Sequence, residues 1–273
     1  MITKKERAVL ILLNNFNKLS KMKLVKIMFL MSEKSNFYKF VPYNYGPFSF
    51  ELYHDLAHLE REGYISMEKE SVSLINKDIP PLDNKLKVIV NRYVRQFSNF
   101  DDSQMIEHTY SKYPEYTIFS QIGKRMAYER DSRGLVTIGY EGKSIDAFLY
   151  ELILNKVNLL VDVRKNAYSM KFGFHRSKLI NYLEKLGIDY LHVPDLGIPS
   201  ELRQELNTYE DYQVLFADYK KVLDDKSDIL EKIKENSKEK KVALMCFEKD
   251  PKYCHRGVIA DRLRRDGVEV CNL

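Results

Sequence analysis

The stretch Leu135-Val136-Thr137-Ile138-Gly139-Tyr140 sets the reading of the chain. It is a short apolar run, and it opens a segment in which such runs alternate with helical spacing. Residues 145–154 are helical, 157–163 apolar and β-rich, 177–186 helical, 188–193 apolar, 208–236 helical, 242–246 apolar, 255–265 helical and 268–271 apolar. Strands that are apolar almost throughout, separated by helices, predict a mainly parallel sheet covered by helices on both faces. Residues 135–273 are therefore expected to form an α/β domain.

Working outward, Glu129 to Gly134 is charged and free of apolar side chains, the composition of a domain boundary. Before it, residues 5–16 and 20–34 carry apolar side chains at helical spacing, with Ser20 placed to cap the second helix. Two prolines and a glycine in Phe40-Val41-Pro42-Tyr43-Asn44-Tyr45-Gly46-Pro47 exclude helix there and predict an aromatic, turn-rich loop. Leu52, Leu56 and Leu59 mark a third helix over 48–62 that ends at Gly63, and 64–67 with 71–75 alternate like a hairpin. Three helices and a hairpin follow the order of a winged helix-turn-helix. An α-rich winged-helix domain is thus expected over 1–78. A helical connector is expected over 79–134, with helices at 82–97, 103–112 and 117–128.

The chain has 273 residues, enough for two domains with their own cores. Mean hydropathy is -0.41 and no apolar run approaches the ~18 residues of a membrane span, so a soluble cytoplasmic protein with no membrane partner is expected. Three cysteines, Cys246, Cys254 and Cys271, are no disulfide framework for a chain of this size. Residues 1–45 hold nine Lys or Arg against two acids, so the positive charge gathers on one N-terminal segment, the pattern of a polyanion-binding face or of solvated Lys-rich helices. Lys21, Lys23, Lys26, Tyr43 and Tyr45 are the candidate nucleic-acid contacts.

Ser20-Lys21-Met22-Lys23-Leu24-Val25-Lys26, Tyr43 through Tyr53 with its Tyr45-Gly46-Pro47, and Leu59 through Ile65 resemble the Panacea/SocA-like antitoxin-associated families over residues 1–76. That resemblance implies a winged-helix domain that recognises proteins, and so a protein partner through residues 1–78.

Ligands of open parallel sheets bind beyond the carboxyl ends of the strands. There the sequence places Tyr140-Glu141-Gly142-Lys143-Ser144, Asp162-Val163-Arg164, His192-Val193-Pro194-Asp195, and the segment from Cys246 to Cys254-His255-Arg256. Arg164 and Arg256 are forks suited to phosphate or carboxylate, and with Tyr140, Lys178 and His192 they form the candidate substrate-binding set. His255 can act as acid or base near neutral pH, with Glu141 a carboxylate at the same edge. Cys254 sits where a helix N-terminus would hold an anion or lower a thiol pKa. Cys246 reads either as a nucleophile or as a small core thiol. Cys246, Cys254 and His255 lack the paired spacings usual in zinc sites, so no metal and no cofactor are expected. Gly142-Lys143-Ser144 is not a P-loop, because the upstream glycine position holds Thr137. Arg164 through Lys178 interleaves basic residues with Tyr168, Phe172 and Phe174, as a surface that stacks bases would.

The same four motifs, from Thr137-Ile138-Gly139-Tyr140-Glu141-Gly142 to Cys254-His255-Arg256, resemble domain of unknown function family 488 across 135–273. The resemblance implies a fold and a site but no reaction. The Asp-Val-Arg after a core strand and the Cys-to-Arg loop are rhodanese-like in part, although nine residues intervene between Cys246 and Arg256. The expected function is a nucleic-acid-targeted or nucleotide-processing enzyme. The alternatives are a non-catalytic regulator that binds a protein and a small ligand, or a Cys-dependent sulfur-transfer or phosphatase enzyme.

Overall fold

A computed structural model describes residues 2–81, 83–203 and 206–273, so Leu82, the expected start of a helix, lies outside the described residues. The chain divides into two compact units, Met1–Tyr128 and Glu129–Leu273.

In the first unit, α1 (Lys4–Phe16) is started by a Thr3 capping box. A three-residue strand, β1 (Lys18–Ser20), then leads into α2 (Lys21–Ser35). The Ser20 hydroxyl accepts from the Lys23 amide, as its position ahead of the helix foretells. The turn-rich loop is a tight hairpin of β2 (Val41–Tyr43) and β3 (Gly46–Phe48), with Gly46 at φ +88°. Then come α3 (Phe50–Arg61), β4 (Ile65–Met67) and β5 (Ser71–Leu74). The strands β1, β5 and β4 form one antiparallel sheet in that order. Finally α4 (Asn84–Phe97) packs on α1 and α2, and α5 (Asp102–Lys112) packs on α2.

The helix expected over 117–128 is absent. A 3-10 turn spans Pro114–Thr117, and beyond it the chain bends without regular structure. Ser120 closes that bend, its hydroxyl meeting the Tyr110 hydroxyl and the Ile122 amide and carbonyl, while Gly123 takes φ +66°. Such side-chain to backbone bonds compete directly with helix.

The second unit is an α/β layer structure. Its elements are β6 (Gly134–Gly139), α6 (Ile145–Leu154), β7 (Leu159–Asp162), α7 (Arg176–Lys185), β8 (Asp189–His192), α8 (Tyr209–Asp224), α9 (Ser227–Glu239), β9 (Lys241–Cys246), α10 (His255–Arg265) and β10 (Val270–Asn272). All five strands are parallel, in the order β10-β6-β9-β7-β8. Inserting β9 between β6 and β7 gathers the carboxyl ends of three central strands side by side. Gly139 pairs with Cys246, and Asp162 with Met245. One core packs Val161, Val163 and Leu244 against Tyr219 and Leu223 of α8 and Ile259 and Leu263 of α10. No described helix is long and apolar enough to cross a membrane.

Candidate functional site

Three loops leave the adjoining carboxyl ends of β6, β7 and β9, and hydrogen bonds tie them together. The Glu141 amide bonds the Phe247 carbonyl at 2.8 Å, and the Glu141 carboxylate accepts from the Lys249 amide at 2.8 Å, so this expected catalytic acid fastens one loop to the next. Gly139 permits the approach. A Cβ there would lie 2.0 Å from the Glu248 carbonyl oxygen. At the other end of the loop a Cβ on Gly257 would lie 2.2 Å from the Pro251 carbonyl oxygen, which lets the first turn of α10 close on it.

Both arginines of the candidate set point inward. Arg164 is buried and grips Asp162 with two bonds, Nε to Oδ1 at 2.8 Å and Nη2 to Oδ2 at 2.6 Å. Its Nη1 donates to the Tyr140 hydroxyl at 3.0 Å and to the Phe174 carbonyl at 3.1 Å. Asp162 also accepts from the Tyr190 hydroxyl at 2.7 Å, so a fully buried carboxylate has its cation and its donors. Burial, and then Asp162, raise the Tyr190 phenol pKa. Arg256 is fully buried and bonds the carbonyls of Glu248 and Lys249, holding the loop after β9, while its Nε has no partner. Tyr140 is buried and stacked on Phe174 at 4.2 Å. Lys178 lies on the exposed face of α7.

The two histidines hold consecutive carbonyls of the loop after β7. His255 Nε2 is 2.8 Å from the Val163 carbonyl oxygen and His192 Nε2 is 2.9 Å from that of Arg164. A carbonyl only accepts, so Nε2 carries a proton in both rings. Cys246, Cys254 and His255 are all buried, and their ligand atoms lie within 4.8 Å of one another. Cys246 Sγ is 3.8 Å from His255 Nδ1 and 3.4 Å from Glu248 Oε2. Burial, and then the neighbouring Cys246, push the Cys254 thiol well above its ordinary range. Burial also pulls His255 down, but its bonds to Cys254 and the Val163 carbonyl, with the charge of Glu248, leave it above its ordinary value.

Against this cluster opens a cavity of about 320 Å³. Ile198, Ser200 and Arg203 form one wall, Tyr212, Leu215 and Phe216 of α8 another, and Glu248, Tyr253 and His255 line the sheet side. Arg203 Nη1 stands 3.7 Å from Glu248 Oε1, and the Tyr212 and Tyr253 rings meet edge to face at 5.2 Å. The sequence pattern placed Asp162, Glu248 and Tyr253 at this edge without giving them a role, and it did not reach Arg203 or Tyr212. Only Glu248, two residues after a strand-end cysteine, and Asp162, two before an arginine on a buried strand end, had a local signal.

Residues 144–263 match the family model described as domain of unknown function DUF488. No curated protein and no solved structure matches the chain. The DUF488 match takes in Arg164, His192, Cys246, Cys254, His255 and Arg256, together with every residue lining the cavity. Tyr140 and Glu141, counted with this resemblance on sequence, lie before its start.

In the first unit the expected nucleic-acid contacts divide. Lys23 and Lys26 are buried, with Lys23 Nζ on the Phe100 carbonyl at 2.5 Å and Lys26 Nζ on the Tyr45 carbonyl at 2.7 Å. Burial, offset in part by Asp102, pulls Lys26 down to about 8. Lys21 lies nearer the surface on the Lys69 carbonyl at 3.1 Å, Tyr43 packs on Phe48, and Tyr45 is exposed. The basic-aromatic segment divides likewise. Phe174 is buried, Lys171 donates to the Tyr140 carbonyl at 2.8 Å, and Tyr168 and Met170 are exposed.

Proposed function

We propose that the DUF488-type unit binds a nucleobase or nucleotide in the cavity against His255 and acts on it. The cavity carries this reading. Aromatic side chains supply stacking faces for a planar ring, while Arg203, Glu248 and His255 converge as the few polar groups that orient a ligand. Its volume falls near the lower end of the roughly 300–1,000 Å³ spanned by small-molecule sites, which suits a ligand of nucleoside size. Arg203 is the cation placed to meet a phosphate, and Glu248 is the acid-base group, with His255 anchored beside it on the Val163 carbonyl. Arg164, Arg256 and Glu141 serve the same site by holding its loops. The rhodanese-like likeness and the Cys-dependent alternative are less favoured, because both site thiols are buried.

We further propose that the first unit is a winged-helix module. The pairing of β1 with the β4–β5 hairpin beside three helices supports this, as does the element order. The burial of Lys23 and Lys26 on carbonyls favours a protein partner over a phosphate backbone for this module, and so favours the regulator reading for this half of the chain. The test is competition between labelled single-stranded or duplex DNA and RNA and free nucleotides on the full chain, across a salt series. Salt-insensitive binding of free nucleotide supports the cavity reading. Binding of oligonucleotides alone, weakening steeply with salt, overturns it in favour of a backbone-tracking surface.

A further inference from the structure

We propose that Cys246, Cys254 and His255 form a binding site for a zinc-type divalent ion, with its fourth position turned toward the cavity. Three features carry the inference, and none depends on the nucleotide reading.

The first is convergence. Cys246 ends β9, Cys254 caps α10 and His255 opens that helix, so a strand end and the start of the next helix deliver two sulfurs and an imidazole to one buried point, within 4.8 Å of one another. Two soft thiols with one imidazole are a ligand set that selects zinc over hard cations. The second is distance. Zinc bonds of about 2.3 Å to sulfur and about 2.0–2.1 Å to nitrogen, at a tetrahedral angle, span about 3.6 Å between the two ligand atoms. Cys246 Sγ and His255 Nδ1 are separated by 3.8 Å, a spacing one ion bridges with little movement.

The third is the support behind the ligands. His255 donates Nε2–H to the Val163 carbonyl at 2.8 Å, which leaves Nδ1, 3.8 Å from Cys246 Sγ against 3.9 Å for Nε2, as the nitrogen able to take an ion. A ligating histidine anchored through its other nitrogen is the usual outer-shell arrangement of metal sites. Glu248, 3.4 Å from Cys246 Sγ and paired with Arg203, lines the cavity beside His255. Three protein ligands with one side left to a cavity is the pattern of zinc sites that work on a bound molecule, as against the closed four-ligand structural sites.

The sequence argued against metal from spacing alone. The seven residues between Cys246 and Cys254 do not form a short paired knuckle, and a loop fastened by Arg256 does the pairing instead.

The full chain is to be purified without chelator and its metal content measured, then stripped and titrated with Co2+. One zinc per chain is expected, together with the visible bands of tetrahedral Co2+ and sulfur-to-cobalt charge transfer in the near ultraviolet. C246S and C254S should each halve the charge-transfer intensity, H255N should lower Co2+ affinity at least tenfold, and C271S, at an exposed cysteine away from the cluster, should change nothing. Should a cysteine variant fail to fold, the wild-type and C271S spectra decide alone. Absence of metal and of a Co2+ spectrum in the folded, reduced chain overturns the proposal. A Cys246–Cys254 disulfide as the resting state, or Co2+ binding that survives C246S/C254S, does so equally.

Discussion

Replacing Arg164 with methionine removes the cation opposite a fully buried carboxylate. In the R164M protein Asp162 keeps the Tyr190 hydroxyl and the backbone amide of residue 164, but it loses both guanidinium bonds. Breaking a buried ion pair from one side costs about 3–5 kcal/mol. The Tyr140 hydroxyl and the Phe174 carbonyl lose a donor as well, which places the expected cost toward the upper end. With a urea dependence of about 2 kcal/mol per molar, the midpoint should fall by roughly 1.5–2.5 M. Hydrogen exchange at β7 amides across a urea series reads this in the unit that carries the change. D162N/R164M removes both charges and should be less damaged than R164M by at least about 1 kcal/mol. If R164M protects β7 within about 0.5 kcal/mol of wild type yet loses ligand binding, Arg164 is a substrate fork and the clamp argument is refuted.

Gly139→Ala should cost about 1–3 kcal/mol and raise exchange in peptides over 247–254, because its Cβ would collide with the Glu248 carbonyl. An unchanged exchange pattern would show that the loop is not seated on β6. In the presence of chelator, alkylation of the folded chain should label exposed Cys271 rapidly and buried Cys246 and Cys254 slowly. Equal rates at Cys254 and Cys271 would revive a reactive-thiol mechanism. Lys26 is held near 8 in the fold against 10.5 unfolded, so between those values the unfolded chain binds more protons and stability rises with pH. The gain approaches about 3 kcal/mol by the top of that window and is absent below pH 8. Urea midpoints at pH 8 and pH 10 for wild type against K26M measure it, and a difference independent of the substitution refutes it.

The parallel sheet was legible because most of its strands are near-continuously apolar and its helices periodic, and the start of α2 was legible from Ser20. Short elements were not. β1 has three residues, too few for any period, and β2 and β3 hid in a proline-rich loop. Polar residues at the strand ends marked where the site lies but not what each does. Lys23, Lys26, Arg164 and Arg256 look alike in sequence whether they face solvent or backbone carbonyls, and only the fold turns their charges inward. The cavity wall from α8 was invisible for a related reason. Tyr212 and Phe216 share a helical face with core residues such as Tyr219 and Leu223, and periodicity does not separate a pocket from a core.

Isothermal titration calorimetry of the full chain with AMP, GMP, CMP, UMP and their nucleosides, repeated on Tyr212→Ala and Arg203→Ala, tests whether the cavity takes a nucleotide. Saturable binding of at least one of these is expected, weakened at least tenfold by Tyr212→Ala, with Arg203→Ala selectively weakening the phosphorylated form while β7 exchange stays at the wild-type level. Absence of saturable heat from all of them, or binding that neither substitution alters, would contradict it.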